Sequence, residues 1–171
     1  RGKGLRFGFM ADLTDGLNRA SEPPQLVALG RSITEPAIQA LYRAYVVAVA
    51  QALAPDYLGL TAETNLVRLQ SPPTVYAAMV ATANAAAADL RQAGYAGARM
   101  ISVQVEVGWG RADPGLVYQG VEQDFADFPF VEHVGLSSYP YFNWPTPEDL
   151  PDDYYVRLLG GRTLPAMVRV G

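Results

Sequence analysis

The order of secondary-structure patterns is the feature of this sequence that most limits its fold. Strand patterns, short and apolar or alternating, occupy five segments: 4–12, 57–63, 99–107, 131–139 and 163–170. Helical patterns lie between them in four segments: 34–54, 71–93, 115–128 and 147–159. Strands separated by helices pair in parallel through right-handed crossovers. The 171 residues are therefore expected to form one α/β domain over 1–171, with about five parallel strands.

Two architectures have this order: a doubly wound sheet and part of a TIM (β/α)8 barrel. A parallel sheet covered on both faces has apolar strands throughout, whereas the strand at 99–107 alternates valines with Ser102, Gln104 and Glu106. Burying Gln104 and Glu106 unpaired beneath a helix would cost about 1–3 kcal/mol for each group. No glycine-rich nucleotide loop follows any strand pattern. The alternation favours a partial barrel whose polar strand faces point inward.

Four of the strand patterns end in a polar side chain on the predicted inward face: Asp12, Glu63, Glu106 and Tyr139. Barrel enzymes build their active sites at the carboxyl ends of the strands, which favours a functional role for Glu63 over that of a solvated strand-end acid. Glu106, on the next strand, is the best partner carboxyl within this chain, because neighbouring strands lie about 4.8 Å apart. Its alternative role is an ion pair with an arginine inside the barrel.

Composition excludes several classes of site. The sequence has no cysteine and one histidine, His133, which excludes thiolate catalysis and multi-histidine metal sites. Its net charge is −4 and it has no cluster of basic residues, so no nucleic-acid partner is expected. No apolar run is long enough to span a membrane. We therefore predict no cofactor, no metal and no membrane partner. The first residues show no signal-peptide pattern, and the compartment stays open, secretion included.

Two short stretches resemble a known family of enzymes. APDYLGLTAETN (54–65) and HVGLSSYPYF (133–142) resemble the fourth and sixth strands of retaining glycoside hydrolases with (β/α)8 barrels, above all the arabinogalactan endo-β-1,4-galactanase family. TLPAMVRVG (163–171) looks like the start of the seventh strand of that family. The resemblance implies a fragment covering the third to seventh strands, from a hydrolase of a β-linked polysaccharide.

The same resemblance implies roles for individual residues. Glu63 matches the general acid/base at the end of the fourth strand, and Asn65 shortly after it would contact the substrate. Tyr139 matches a sixth-strand tyrosine that lies near the sugar and the nucleophile. Trp109 and Trp144 would be platforms on which the flat faces of sugar rings stack.

The sequence departs from the family pattern at two places. The family has an asparagine directly before the acid, where this chain has Ala62. The family nucleophile is a glutamate that ends the seventh strand, where this chain reads VRVG (168–171). The expectation is an acid/base whose nucleophile is absent from this chain. Asp12 is a third carboxyl, expected to orient Glu63 or to contact the substrate.

Three functions remain open at this point. The first is a glycoside hydrolase or a fragment of one, retaining or inverting according to whether its carboxyls lie about 5–5.5 or 6.5–9.5 Å apart. The second is a non-catalytic carbohydrate-binding relative, which the absent nucleophile and Ala62 favour. The third, ranked last, is another barrel enzyme such as a lyase or aldolase. The exposed edges of a five-stranded sheet also predict self-association.

Overall fold

The structure, a computed structural model, describes residues 4–112 and 117–169. Its strands form one sheet in the order β1-β2-β3-β4-β5, and every neighbouring pair is parallel. The strands are β1 (Gly8–Met10), β2 (Tyr57–Gly59), β3 (Ala98–Gln104), β4 (His133–Ser137) and β5 (Ala166–Arg169). The predicted α/β class with five parallel strands is confirmed.

Six α-helices connect these strands in the described part of the chain. They are α1 (Pro24–Ala28), α2 (Pro36–Leu53), α3 (Thr64–Gln70), α4 (Pro73–Gln92), α5 (Val105–Gly108) and α6 (Glu122–Asp127). Three turns of 3-10 helix lie between β4 and β5, at Pro140–Phe142, Pro147–Asp149 and Val156–Leu159. None of the described helices is long and apolar enough to cross a membrane.

The strand order in space follows the order in sequence. Each strand pairs with the next along the chain, as when Leu58 pairs with Arg99 and Ile101 with Val134. A doubly wound sheet instead reverses its direction of growth at a switch point. Right-handed crossovers that all run in one direction place their helices on one face of the sheet.

The helix-covered face of the sheet carries the core. Leu58, Ile101 and Leu136, at alternating positions of three neighbouring strands, are at most 1% exposed. Helices α2 and α4 pack against each other, and the alanines on the buried side of α4 allow close approach. Both helices carry proline in the first turn, where its missing N–H costs no helical hydrogen bond. The periodic patterns therefore predicted α2 and α4 correctly.

The opposite face of the sheet bears no described helix and is lined by glycine, methionine and serine. It bounds a cavity of about 350 Å³ lined by Gly8, Phe9, Met10, Tyr57, Met100, Ser102, Gly135 and Met167. The thioether of Met10 lies where a Cβ of Gly59 would be, so a larger residue at position 59 would require the Met10 side chain to move. We call this surface the open face.

Several predicted boundaries are wrong, and one of them concerns a site residue. The strand predicted over 99–107 ends at Gln104, and Glu106 lies in the first turn of α5. The chain turns there because the Gln104 side chain accepts a hydrogen bond from the Val107 amide at 2.6 Å. Alternating valines suit a strand, but here Val105 and Val107 pack as the buried residues of a short helix.

The other differences are in element length and type. The strands at 4–12 and 57–63 shrink to three residues each, and α1 and α3 were not predicted. The helix predicted over 147–159 is two 3-10 turns, because Pro151 interrupts it and lacks the N–H that an α-helix interior requires. In the described part of the helix predicted over 115–128, the helix that forms is α6; residues 113–116, like Val170, lie outside the described residues.

Candidate functional site at the carboxyl edge of the sheet

The carboxyl edge is the end of the sheet where all its parallel strands finish. Asp12 follows β1 by two residues, Glu63 follows β2 by four, and Ser137 ends β4. Tyr42 of α2 joins the first two segments, since its hydroxyl lies 3.0 Å from the Ala11 carbonyl oxygen and 2.5 Å from that of Leu60. Burial and the charge of Asp12 raise the pKa of Tyr42 well above its ordinary value, so this hydroxyl remains a donor.

Glu63 has an unusual backbone conformation. Its φ of 49° and ψ of 47° are left-handed, and it directly precedes α3. A side chain other than glycine costs on the order of 1–3 kcal/mol in such a region. Ser102 of β3 supports the conformation, because its hydroxyl oxygen accepts a hydrogen bond from the Glu63 amide at 2.9 Å. Ser102 also lines the open face, so Glu63 lies at the rim of that face.

Both carboxylate oxygens of Glu63 have partners. Ser137 Oγ donates to Oε1 at 2.6 Å, and Arg19 Nε donates to Oε2 at 2.8 Å. The Glu63 side chain is only 12% exposed. Glu63 is thus held from two sides, by a residue of β4 and by a residue of the first loop, 11–23.

Arg19 also joins Glu63 to Asp12. Its Nη1 donates to Asp12 Oδ2 and, at 3.1 Å, to Thr14 Oγ1. Burial opposes the charge of this guanidinium, but the Asp12 charge and the hydrogen bond to Glu63 raise the pKa of Arg19 above its ordinary value. The other oxygen of Asp12 accepts the Leu13 amide at 2.8 Å. Asp12 and Glu63 therefore share one permanently charged partner.

Glu106 lies in a different environment. It is 2% exposed, and its donors are all neutral. Oε1 accepts from Tyr154 Oη at 2.7 Å, the Tyr139 amide at 2.8 Å and Ser138 Oγ at 3.1 Å. Oε2 accepts from Gln104 Nε2 at 2.7 Å. The arginine partner considered from the sequence is not found among the described side chains.

Tyr154 links Glu106 to the two tryptophans. Burial raises its pKa above the ordinary value, and the hydrogen bond to Glu106 raises it further. The Trp109 ring stacks on Tyr154 with centroids 5.5 Å apart, and Trp109 Nε1 donates to the Tyr154 carbonyl oxygen at 2.9 Å. Trp144 meets Tyr154 edge-on, with ring centroids 6.2 Å apart. Arg111 lies 4.7 Å above the Trp144 ring.

Asn65 forms a backbone clamp. Its Nδ2 donates to the Gln104 carbonyl oxygen and its Oδ1 accepts from the Gln104 amide, both at 2.8 Å. It is 2% exposed. These bonds use both backbone groups of Gln104 and mark the end of β3. The amide of Asn65 therefore binds the protein itself in this structure, and its predicted substrate contact stays a prediction.

Tyr139 lies beside a group of exposed aromatic rings. Its ring is 6.3 Å from that of Tyr141 and 6.0 Å from that of Phe142. The side chains of Tyr141 and Phe142 are 61% and 74% exposed. The Tyr139 amide donates to Glu106, which fixes where this aromatic segment leaves the sheet.

The structure brings the predicted residues together in two groups. Asp12 and Glu63 meet through Arg19. Trp109 and Trp144 pack against Tyr154, whose hydroxyl shares the Glu106 carboxylate with the Tyr139 amide. Sequence reasoning missed two residues of this site: Arg19, which lies in a loop without a helical or strand period, and Tyr154, which lies in the segment 147–159 predicted as a helix. Ser137 had a usable signal, because strand alternation placed it on the same face as Glu63.

Comparison with known proteins adds no assignment to this geometry. No family model, no curated protein and no solved structure matches the chain. The described residues also contain no group of three or more histidine, cysteine, aspartate or glutamate side chains suited to a metal ion.

Proposed function

We propose that the chain is a glycoside hydrolase, or part of one, that acts on a β-linked polysaccharide with Glu63 as general acid/base. The observation that carries this proposal is the placement of Glu63 at the carboxyl edge, in a strained backbone and hydrogen-bonded to Ser137 of β4. Strained residues gather at functional sites. Consecutive parallel strands with helices between them are compatible with a segment of a (β/α)8 barrel, whose enzymes act at this edge.

In the proposed reaction the Glu63 carboxyl gives its proton to the glycosidic oxygen as the bond breaks. In a retaining mechanism the resulting carboxylate then takes a proton from water. Ser137 would hold Oε1 and leave Oε2 for the proton. Arg19 occupies Oε2 in this structure, where it blocks the approach of a glycosidic oxygen. The proposal therefore requires Arg19 to leave Oε2 when the substrate binds.

The proposal assigns no nucleophile within the chain. Glu106, the partner carboxyl considered from the sequence, already accepts four hydrogen bonds and is 2% exposed. A nucleophile must reach the anomeric carbon, which a carboxylate enclosed in this way does not. Glu106 fits better as the group that holds Tyr139 and Tyr154.

A second candidate is a non-catalytic carbohydrate-binding relative. The ion pair between Arg19 and Glu63 favours this alternative, because it occupies the oxygen that a general acid would use. Ala62, in place of the asparagine that the resembled family has, favours it as well.

One experiment separates the two candidates. The full gene product and its Glu63→Gln variant are assayed on a panel of β-linked polysaccharides, for hydrolysis by reducing ends and for binding by calorimetry. For a hydrolase, we expect Glu63→Gln to lower turnover at least about 100-fold while binding persists. Glu35→Gln, at an exposed ion pair with Arg31, serves as control and should behave as wild type.

Each other result of this assay also distinguishes between the two candidate functions or contradicts both. Binding without hydrolysis in the wild-type protein would support the carbohydrate-binding relative. Unchanged turnover in Glu63→Gln would remove the acid/base role of Glu63. A protein that neither binds nor cleaves any of these polysaccharides would contradict both candidates.

A further inference from the structure

A buried charged cluster lies next to Glu63 and is not used by the proposed reaction. Asp124 of α6 is 0% exposed. Its Oδ1 accepts from Thr64 Oγ1 at 2.7 Å and from Arg68 Nη1 at 2.9 Å, and its Oδ2 accepts from Arg68 Nη2 at 3.0 Å. We call Asp124, Thr64 and Arg68 the Asp124 cluster.

Stability alone gives a weak account of this cluster. Taking a carboxylate out of water is costly, and an apolar replacement of a buried ion pair is often no less stable. Burial raises the pKa of Asp124 above its ordinary value even though Arg68 and Thr64 lower it. The cluster thus keeps a charge where burial disfavours it, which suggests a role in fixing geometry.

The geometry that the cluster fixes is that of α3. This helix has seven residues and begins at Thr64, directly after Glu63, with no side-chain cap at its start. Thr64 and Arg68 are four positions apart and therefore lie on one side of the helix. Two contacts to a single carboxylate on α6 fix both the rotation and the axial position of α3.

The position of α3 in turn constrains Glu63. The carbonyl oxygen of Glu63 accepts the first helical hydrogen bonds of α3, from the Leu66 and Val67 amides at 2.9 and 3.0 Å. Its amide is bound to Ser102 on the other side. A rotation or shift of α3 would have to be absorbed at the left-handed φ of Glu63, the junction between the sheet and the helix.

We propose that Asp124 is a positioning residue for Glu63. Through Thr64 and Arg68 it holds α3 so that Glu63 keeps its left-handed backbone and its carboxylate reaches Ser137. The catalytic meaning of this positioning rests on the proposed function, whereas the positioning itself does not.

Two pairs of variants test the proposal with matched controls. Thr64→Val removes the hydroxyl that Asp124 accepts from, and Thr82→Val removes an equally buried hydroxyl that bonds within α4, to the Ala78 carbonyl oxygen at 2.6 Å. Asp124→Asn removes the cluster carboxylate, and Asp89→Asn removes a carboxylate of α4 that two nitrogens of Arg43 bind, at 2.7 and 2.8 Å.

The measurement is the NMR signal of Glu63 in protein labelled with ¹³C,¹⁵N-glutamate, assigned by its loss in Glu63→Gln. We expect Thr64→Val and Asp124→Asn to move or broaden the backbone amide and carboxyl signals of Glu63. Thr82→Val and Asp89→Asn should leave them in place, even where they lower the melting temperature. A purely stabilising role would lower the melting temperature without moving the Glu63 signals.

Glu63 signals that stay in place in both cluster variants, or that move equally in the controls, would overturn the proposal. If Asp124→Asn does not fold, the comparison of the Glu63 signals in Thr64→Val and Thr82→Val tests the proposal by itself. The spectra require no hydrolysis, so loss of the proposed function by the Glu63→Gln assay leaves this test intact. If the hydrolase is established, Asp124→Asn should lower kcat several-fold more than it raises KM.

Discussion

The carboxyl and amino edges of the sheet differ in where they keep their charges. At the carboxyl edge Glu63 is 12% exposed in its side chain and Glu106 is 2% exposed as a residue. At the amino edge Glu132 pairs with Arg99 while its side chain is 46% exposed. His133, at the start of β4, packs against Tyr57 with ring centroids 4.8 Å apart.

The difference identifies the edge of the sheet at which burying charged side chains costs free energy. An exposed ion pair contributes about 0–1 kcal/mol to stability. The charges at the amino edge therefore change the free energy of unfolding little. Buried carboxylates require a full set of donors, and at the carboxyl edge those donors come from several separate segments. An arrangement of this kind is expected where a protein places reactive groups, and it is consistent with a functional site at that edge.

The strongest test of this contrast removes a buried carboxylate. We expect Glu106→Ala to lower the free energy of unfolding by about 3 kcal/mol or more, because it leaves Tyr154, the Tyr139 amide and Gln104 without their acceptor. Urea unfolding measures the change. Glu132→Ala at the amino edge is the control, expected to cost less than about 1 kcal/mol. Equal losses of unfolding free energy in the two variants would show that carboxylates at the two edges contribute equally to stability.

A smaller effect is expected at the arginine that neutralises Asp12 and Glu63. Arg19→Ala should cost about 2 kcal/mol, between the values for exposed and buried pairs, since its side chain is 11% exposed. Arg43→Ala breaks a pair with Asp89 on the helix surface, where the arginine is 41% exposed, and should cost under about 1 kcal/mol. Chemical denaturation measures the free energy of unfolding of both variants. A larger loss in Arg43→Ala than in Arg19→Ala would contradict the expected order.

The two left-handed residues sharpen the comparison further. Among the described residues, Ala54 and Glu63 are the non-glycine positions with positive φ, at 42° and 49°. Ala54→Gly, beside the amino edge, should stabilise the protein by about 0.5–1 kcal/mol by relieving strain. Glu63→Gly relieves the same strain but loses the contacts to Arg19 and Ser137, so we expect a net loss. Thermal unfolding measures the change. Equal increases in melting temperature in the two variants would mean that the contacts of Glu63 to Arg19 and Ser137 contribute nothing to stability.

The smallest effect is a change in acid sensitivity. The hydrogen bond from Arg99 lowers the pKa of Glu132 below its ordinary value of 4.5, against the effect of burial. A depressed pKa in the folded state stabilises the protein above the unfolded value, and this contribution is lost as the pH falls through the depressed value. Glu132→Gln should therefore flatten the stability curve slightly below about pH 4.5. Unfolding curves between pH 7 and 3 that stay parallel to those of wild type would contradict this.

The regular elements of the fold were predictable to different degrees. The bounds of α2 and α4 followed from long periodic patterns and proline at their starts. The end of β3 did not follow, because Val103, Val105 and Val107 continue the alternation of a strand. The Gln104 side chain caps α5, and Asn65, thirty-nine positions before Gln104, occupies both backbone groups of that residue. A contact of that range leaves no local pattern.

The sequence by itself determined the parallel α/β order and the positions of α2 and α4. It could do so because the two-residue period of a strand and the 3.6-residue period of a helix are properties of the backbone. Only the tertiary structure decided that Arg19 neutralises Glu63 and that four neutral donors enclose Glu106. Those partners come largely from loops and short turns, where no period constrains which side chain meets which.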